Sequence, residues 1–270
     1  MEIFELSRRI RFCINPFLDE IPIGANGYAG KPAGLGLSLY IEMALSLIGP
    51  VEEKSGFVIN VNEIDHKTRQ VALPIFIESV RRYWRSGQHI SLLRLVGIIK
   101  QCKQALDSEF LEASIDRFNV NLTPFRKITL IGCQESMSVH YSEKFEFAAM
   151  HKLWNSQLNS NENYRIFGKC ANPNGHGHNY VIEVTVIVNH ADHFDSIHFS
   201  EVIDIHFISH VDHKNLNADV PFFSSKNPTM ENIAKFAWDC LCERIQGAKL
   251  HRVTIWESDR TSCSYDGIQS

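Results

Sequence analysis

At 270 residues, with 44% hydrophobic and 21% charged side chains, the chain is globular in composition and long enough for two ordinary domains. A net charge of −4 excludes a broad basic field for a nucleic-acid backbone. The seven cysteines are odd in number and scattered, with no C-x-x-C pair, which argues against a disulfide framework and predicts a reducing, cytoplasmic setting. No apolar run is long enough to cross a bilayer, and MEIFELSRRIRF lacks the charged-then-apolar order of a secretion signal.

In chain order, SRRIRFCINPF (7–17) alternates as a strand and ends in a turn, and GLGLSLYIEM (34–43) is a second strand. The stretch 56–84 reads as a short strand end, GFVIN, running into an amphipathic helix, with Asp65 as a helix cap. A second helical pattern covers 89–106, an insertion of about twenty residues around 105–125 follows, and RKITLIGCQES (126–136) closes the series as a strand. The same series then recurs: EKFEFAAMHKL (143–153), GHGHNYVIEV (175–184), FDSIHFSEVIDIHFISHV (194–211), TMENIAKFAWDCLCERI (229–245) and HRVTIWESDRT (251–261). Five ordered correspondences indicate a duplication, with units at 1–137 and 138–270. Each unit is expected to be α+β, with an antiparallel sheet covered by helices on one face.

Residues two apart on a strand point the same way, so His176 and His178 project together, while Gly175 and Gly177 leave room for close approach. His151, on the preceding strand, can bring a third imidazole. Three neutral histidines with one open position suit a catalytic zinc acting as a Lewis acid. An H-x-H pair alone is more often a solvated or core pair; the decisive contrast lies in the first half. There the matching positions are Leu35, Leu37 and Pro16, so all three candidate ligands are missing together. No function attaches to His190, His193, His198, His206 or His210.

The stretches FGKCANPNGHGHNY (167–180), VDHKNLN (211–217), PTMEN (228–232) and IWES (255–258) resemble the 6-pyruvoyl-tetrahydropterin synthase family, whose sister group is the 6-carboxytetrahydropterin synthases of the queuosine pathway. The resemblance covers 141–270; the first half is similar only through the repeat. It implies tandem T-fold units, each a four-stranded antiparallel sheet with two helices on one face, assembled into homo-oligomeric rings with active sites between neighbouring units. It further implies a Zn2+ cofactor on His151, His176 and His178, and Cys170 as the thiolate that takes a proton from the substrate side chain. Asp212 and His213 are implied to shuttle a second proton, Glu257 to anchor the pterin, and Thr229 and Glu231 to line its pocket. Pro-Thr-x-Glu is equally a helix start.

The implied partner is a small-molecule pterin, with no nucleic acid and no membrane. The implied reaction converts 7,8-dihydroneopterin triphosphate to 6-pyruvoyl-tetrahydropterin with elimination of triphosphate, a lyase reaction. The alternatives are 6-carboxytetrahydropterin synthesis from the same substrate, and a non-catalytic pterin-binding or scaffold protein. Five residues between Cys170 and His176 favour the pyruvoyl branch, since the carboxy-branch loop is typically shorter. Three departures stand out: FDSIHF is a poor copy of its segment, Pro32 follows Gly-Lys in a shortened first-half loop, and the counterpart of Glu257 is either Glu135 or Cys133. Asp65–His66 in EIDHK is a coincidental echo of Asp212–His213.

Overall fold

The computed structural model describes residues 2–17, 36–133, 136–189 and 193–268. Leu35, Pro32, Glu135 and His190 therefore lie outside the described residues. The chain divides into two compact units, Met1–Tyr141 and Ser142–Ser270.

The first unit begins with β1 (Ile3–Ile14) and β2 (Leu39–Pro50). Helix α1 (Val61–Lys67) passes through a π-helical turn, Thr68–Ala72, into α2 (Leu73–Arg85), and α3 (Leu92–Asp107) follows. Strands β3 (Ser114–Asn121) and β4 (Arg126–Ile131) complete a sheet of order β1-β2-β3-β4, antiparallel throughout. Strand alternation buries Ile10, Phe12, Met43, Leu45, Phe118, Val120, Ile128 and Leu130 on one face. The helices pack there, with Phe12 edge-on to Phe76 at 6.1 Å. The other face is polar. Glu42 accepts from Arg11 Nε at 3.0 Å and from Asn121 Nδ2 at 2.7 Å, and the Ser7 and Ser46 hydroxyls bond at 2.7 Å.

Three expectations for this unit are corrected. GFVIN forms no strand; the chain bends through 56–60 and the helix starts directly after it. Asn60, not Asp65, caps that helix, its side chain accepting from Asn62 N; Asp65 sits within α1 and binds Arg8 through two bonds of 2.8 and 2.6 Å. The supposed insertion at 105–125 contains β3, which holds the sheet position that β8 holds in the second unit, so 126–136 is not the counterpart of 251–261. The hydrophobic pattern of 126–131 resembles β8 because both strands are half-buried, and periodicity alone does not tell two such strands apart.

The second unit opens with β5 (Ser138–His151), which starts just before the unit boundary. Next come α4 (Ser160–Phe167), a 3₁₀ turn at Gly168–Ala171, and β6 (His176–Val188). Helix α5 (Ser196–Ile203) again runs into a π-helical turn, Asp204–Ile208, and on into α6 (Ser209–Val211). FDSIHF is thus a helix start capped by Asp195, not a strand end. A short β7 (Lys214–Asn215) lies parallel on β5, followed by α7 (Leu216–Asp219), α8 (Met230–Leu241), β8 (Ala248–Ser258) and β9 (Thr261–Tyr265). The sheet order is β5-β6-β8-β9.

Phe147 on β5 stacks on Tyr180 of β6 at 5.0 Å and meets Phe207 of the π turn edge-on at 5.5 Å, which fixes the helices on that face. Ser142–Thr185 and Thr254–Ser264 hydroxyl pairs line the opposite face. Each unit is a T-fold: a four-stranded antiparallel sheet with helices on one face. No helix among the described residues is long and apolar enough to cross a membrane.

Candidate metal centre

The helix-covered face of the second sheet ends in a cluster of imidazoles. On β6, His176, His178, Tyr180 and Ile182 share one face because the strand period is two, and His151, the last residue of β5, reaches the same point. Their rings lie 4.6 Å (His151–His176), 5.2 Å (His151–His178) and 4.7 Å (His176–His178) apart, centroid to centroid. Glu257, near the end of β8, completes the group. One donor atom from each of the four residues falls within 4.8 Å of all the others, an arrangement able to hold a metal ion.

The chain turn before β6 depends on Gly175. Its φ is +70°, and a Cβ there would stand 3.0 Å from the His151 carbonyl oxygen. Gly177 is under no such demand, since a Cβ would meet only the Ala149 carbonyl, at 3.7 Å.

The donor set fits a metal. His151 Nδ1 donates to the Pro228 carbonyl at 2.7 Å, which fixes the tautomer and leaves Nε2 as the free lone pair, 3.1 Å from His176 Nε2. Burial holds the His151 and His178 imidazoles below their ordinary range, and so neutral, the form a metal requires. His176 Nδ1 and His178 Nε2 are buried and make no hydrogen bond within the protein. Each such orphan costs about 1–3 kcal/mol, so the cluster is poorly satisfied as a purely structural feature.

The other sequence-derived candidates surround this cluster. Cys170 lies in the 3₁₀ turn, which is pinned by a bond from Leu153 N to the Cys170 carbonyl at 2.9 Å. Burial and the nearby Glu257 carboxylate push its thiol up. Asp212 accepts from Ala148 N at 2.8 Å and pairs with His213 Nδ1 at 2.8 Å, contacts that hold its carboxyl below the usual range. His213 adopts φ 55° and is 82% exposed. An open cavity of about 570 Å³ joins it to the histidine cluster, with Met150, Gly177, His178, Asn179 and Lys214 on its walls. Thr229 is the N-cap of α8, accepting from Asn232 N, with Glu231 in the first turn; no capping box forms, because the third helical residue is Asn232.

Two residues of the site escaped sequence reasoning. The Pro228 carbonyl is a backbone acceptor, and side-chain identity does not announce backbone acceptors. Tyr180 was legible: it continues the His176–His178 face. It is fully buried, edge-on to His178 at 5.5 Å, and its hydroxyl has no partner.

In the first unit, Leu37 is 92% exposed and Pro16 lies in the turn after β1. The pairs Glu42–Asn121 and Glu183–Thr254 are equivalent in the two sheets. Counting three residues on from Asn121 and from Thr254 matches Glu257 by position with Pro124, which lies beyond the end of β3. Neither Glu135 nor Cys133 is that counterpart.

The profile of the 6-pyruvoyl tetrahydropterin synthase family matches residues 140–268. The human 6-pyruvoyl tetrahydrobiopterin synthase is 36% identical over 136 residues, which span 47% of this chain and 90% of the human protein. The chain belongs to the 6-pyruvoyl tetrahydropterin synthase family. Among its relatives, the Drosophila melanogaster 6-pyruvoyl tetrahydrobiopterin synthase is 39% identical over 134 residues, 45% of this chain and 75% of that protein. The solved structure of the Caenorhabditis elegans 6-pyruvoyl tetrahydropterin synthase, 32% identical, covers 48% of this chain and 96% of its own, with a TM-score of 0.45. In both curated relatives the similarity is confined to about half of this chain.

Proposed function

We propose that the second unit is a zinc-dependent lyase that converts 7,8-dihydroneopterin triphosphate to 6-pyruvoyl-tetrahydropterin and triphosphate, and that the first unit is a degenerate copy without a metal site. The observation that carries this reading is the convergence of His151, His176, His178 and Glu257 in a chain whose relatives are named as pterin synthases. A donor set of three imidazoles and a carboxylate suits Zn2+. When bound, the ion would make the hydroxyls of the substrate side chain, and the C–H bonds beside them, more acidic.

The remaining work falls to the chain. Cys170 takes the first proton from the side chain. Its thiol is held up by burial and by the Glu257 charge, so N–H groups of a pterin bonded to Glu257 would ease its ionisation. His213, oriented by Asp212 through the 2.8 Å contact, carries the second proton; its exposure and the shared cavity with His178 give it access to substrate and to water. Thr229 and Glu231 stand at the start of the helix whose preceding residue, Pro228, orients His151. No external redox partner is required, because the pterin ring gains the electrons that the side chain loses.

Incubation with 7,8-dihydroneopterin triphosphate and identification of the products tests the reading. Triphosphate and 6-pyruvoyl-tetrahydropterin are expected. Acetaldehyde with 6-carboxytetrahydropterin would replace the pyruvoyl assignment, and metal-loaded protein without turnover would favour a binding role. Metal analysis is expected to find one zinc per chain, lost in His176→Ala; two per chain would contradict the assignment of the first unit.

A further inference from the structure

We propose that the cleft between α2 and α3 of the first unit binds a phosphate-bearing small molecule. Every residue lining it belongs to that unit, so the inference does not depend on the metal reading above.

Charge is the first observation. The chain carries a net charge of −4, yet the 28 residues from Ser79 to Leu106 hold six Lys or Arg and no Asp or Glu. They form the end of α2, the turn after it and most of α3. Between the helices lies a cleft of about 530 Å³, whose polar walls are Ser79, Arg82, Ser86, Gln88, Arg94 and Gln101, with no carboxylate. Arg82 Nη2 donates to Ser79 Oγ at 3.5 Å, and Arg94 Nη1 to the His89 carbonyl at 3.4 Å. Among the described residues no carboxylate pairs with either guanidinium, so each keeps most of its N–H groups to offer.

Placement is the second observation. Cations belong at helix C-termini, and Arg82 near the end of α2 obeys that rule. Arg94 breaks it, as the third residue of α3, in a first turn that contains no acidic side chain. It is held there over the Tyr83 ring, 5.3 Å from the centroid. The positive end of α3 and an unpaired guanidinium thus reinforce each other, which an anion in the cleft would relieve. Gly97, one turn further along, also lines the cleft. Glycine is unfavourable inside a helix, and a Cβ here would meet nothing within 4 Å, so its absence serves the open space and not the packing.

Two guanidinium forks with hydroxyl and amide donors beside them suit phosphate oxygens. The volume exceeds the needs of a bare phosphate, and Tyr83 and Ile98 add an apolar wall, so a phosphate ester fits best. The negative charge of the whole chain disfavours a long polyanion.

Calorimetric titration of the full chain at low ionic strength tests this, with inorganic phosphate and adenosine 5′-monophosphate as probes. Saturable binding is expected, tighter for the ester; equal affinities would support the site with free phosphate as its occupant. Arg82→Gln and Arg94→Gln are each expected to weaken binding about tenfold or more. Gly97→Leu fills the cleft without changing charge and is expected to abolish binding. Lys100→Gln removes a charge from α3 outside the cleft, and His176→Ala alters the histidine cluster; both are expected to bind within about twofold of the unsubstituted protein. Circular dichroism checks that each variant folds. No binding of either probe, or binding of a single-stranded RNA alone, overturns the proposal. So does a loss in Lys100→Gln or His176→Ala equal to that in the arginine variants, or unchanged binding in Gly97→Leu.

Discussion

Cys102 shows how a single buried group ties stability to pH. It lies on α3, fully enclosed, with Sγ donating to the Ala72 carbonyl at 3.4 Å, and burial pushes its thiol up to about 12. In the unfolded chain the same thiol ionises near ~8.5. A folded pKa above the unfolded one means the contribution to stability is intact below ~8.5 and drains away as pH rises toward 12. Cys102→Ala removes that dependence at a cost of about 1 kcal/mol near neutrality. Thermal melts at pH 7 and pH 10 should therefore show the advantage of the unsubstituted protein shrinking at the higher pH; a constant difference would refute the assignment. At the same scale, the three histidines could be read from residue types and spacing, whereas Cys170 and the Asp212–His213 pair were reached only through the resemblance of their motifs to the family's. Tyr180 could be reached by extending that alternation. The Pro228 carbonyl could not, because every residue but proline offers the same backbone groups and only the fold selects which one is used.

Both units interrupt a helix with a π turn, after α1 at Thr68–Ala72 and after α5 at Asp204–Ile208. A π turn accommodates one extra residue while keeping the faces of the flanking helices in phase. Deleting exposed Gln70 is therefore expected to convert the segment to regular α-helix, leave Ile64, Phe76 and Ile77 in the core, and cost under about 1.5 kcal/mol. Deleting exposed Glu78, within regular α2, rotates Val80 away from the core by about 100° and should destabilise far more. Denaturant titration of the two deletions separates them, and equal losses would show that the turn is not an insertion. Hydrophobic period locates such helices, but it does not reveal a one-residue phase slip within them. For the same reason β3 was hidden inside an apparent insertion: eight residues of half-buried strand carry too few alternations to outweigh a competing alignment.

At the scale of the whole chain, each T-fold unit is by itself an open four-stranded sheet, and among the described residues β1 in the first unit and β9 in the second are each paired along one side. A twelve-residue strand such as β1 is a long edge to leave open. Sedimentation equilibrium is expected to give a mass well above that of one 30.9 kDa chain, and a monomer at micromolar concentration would remove the ring assembly proposed for the family fold.

The sequence by itself determined the duplication, the α+β character of each unit, and the contrast between a histidine-bearing strand and its leucine-bearing counterpart. Those features follow from local alternation and from residue identity, both written along the chain. Only the tertiary structure decided that Glu257 stands among the imidazoles, that β3 rather than β4 is the first-unit counterpart of β8, and that a backbone carbonyl sets the His151 tautomer. These depend on strand register and side-chain direction, which arise when distant segments pack and which no local pattern encodes.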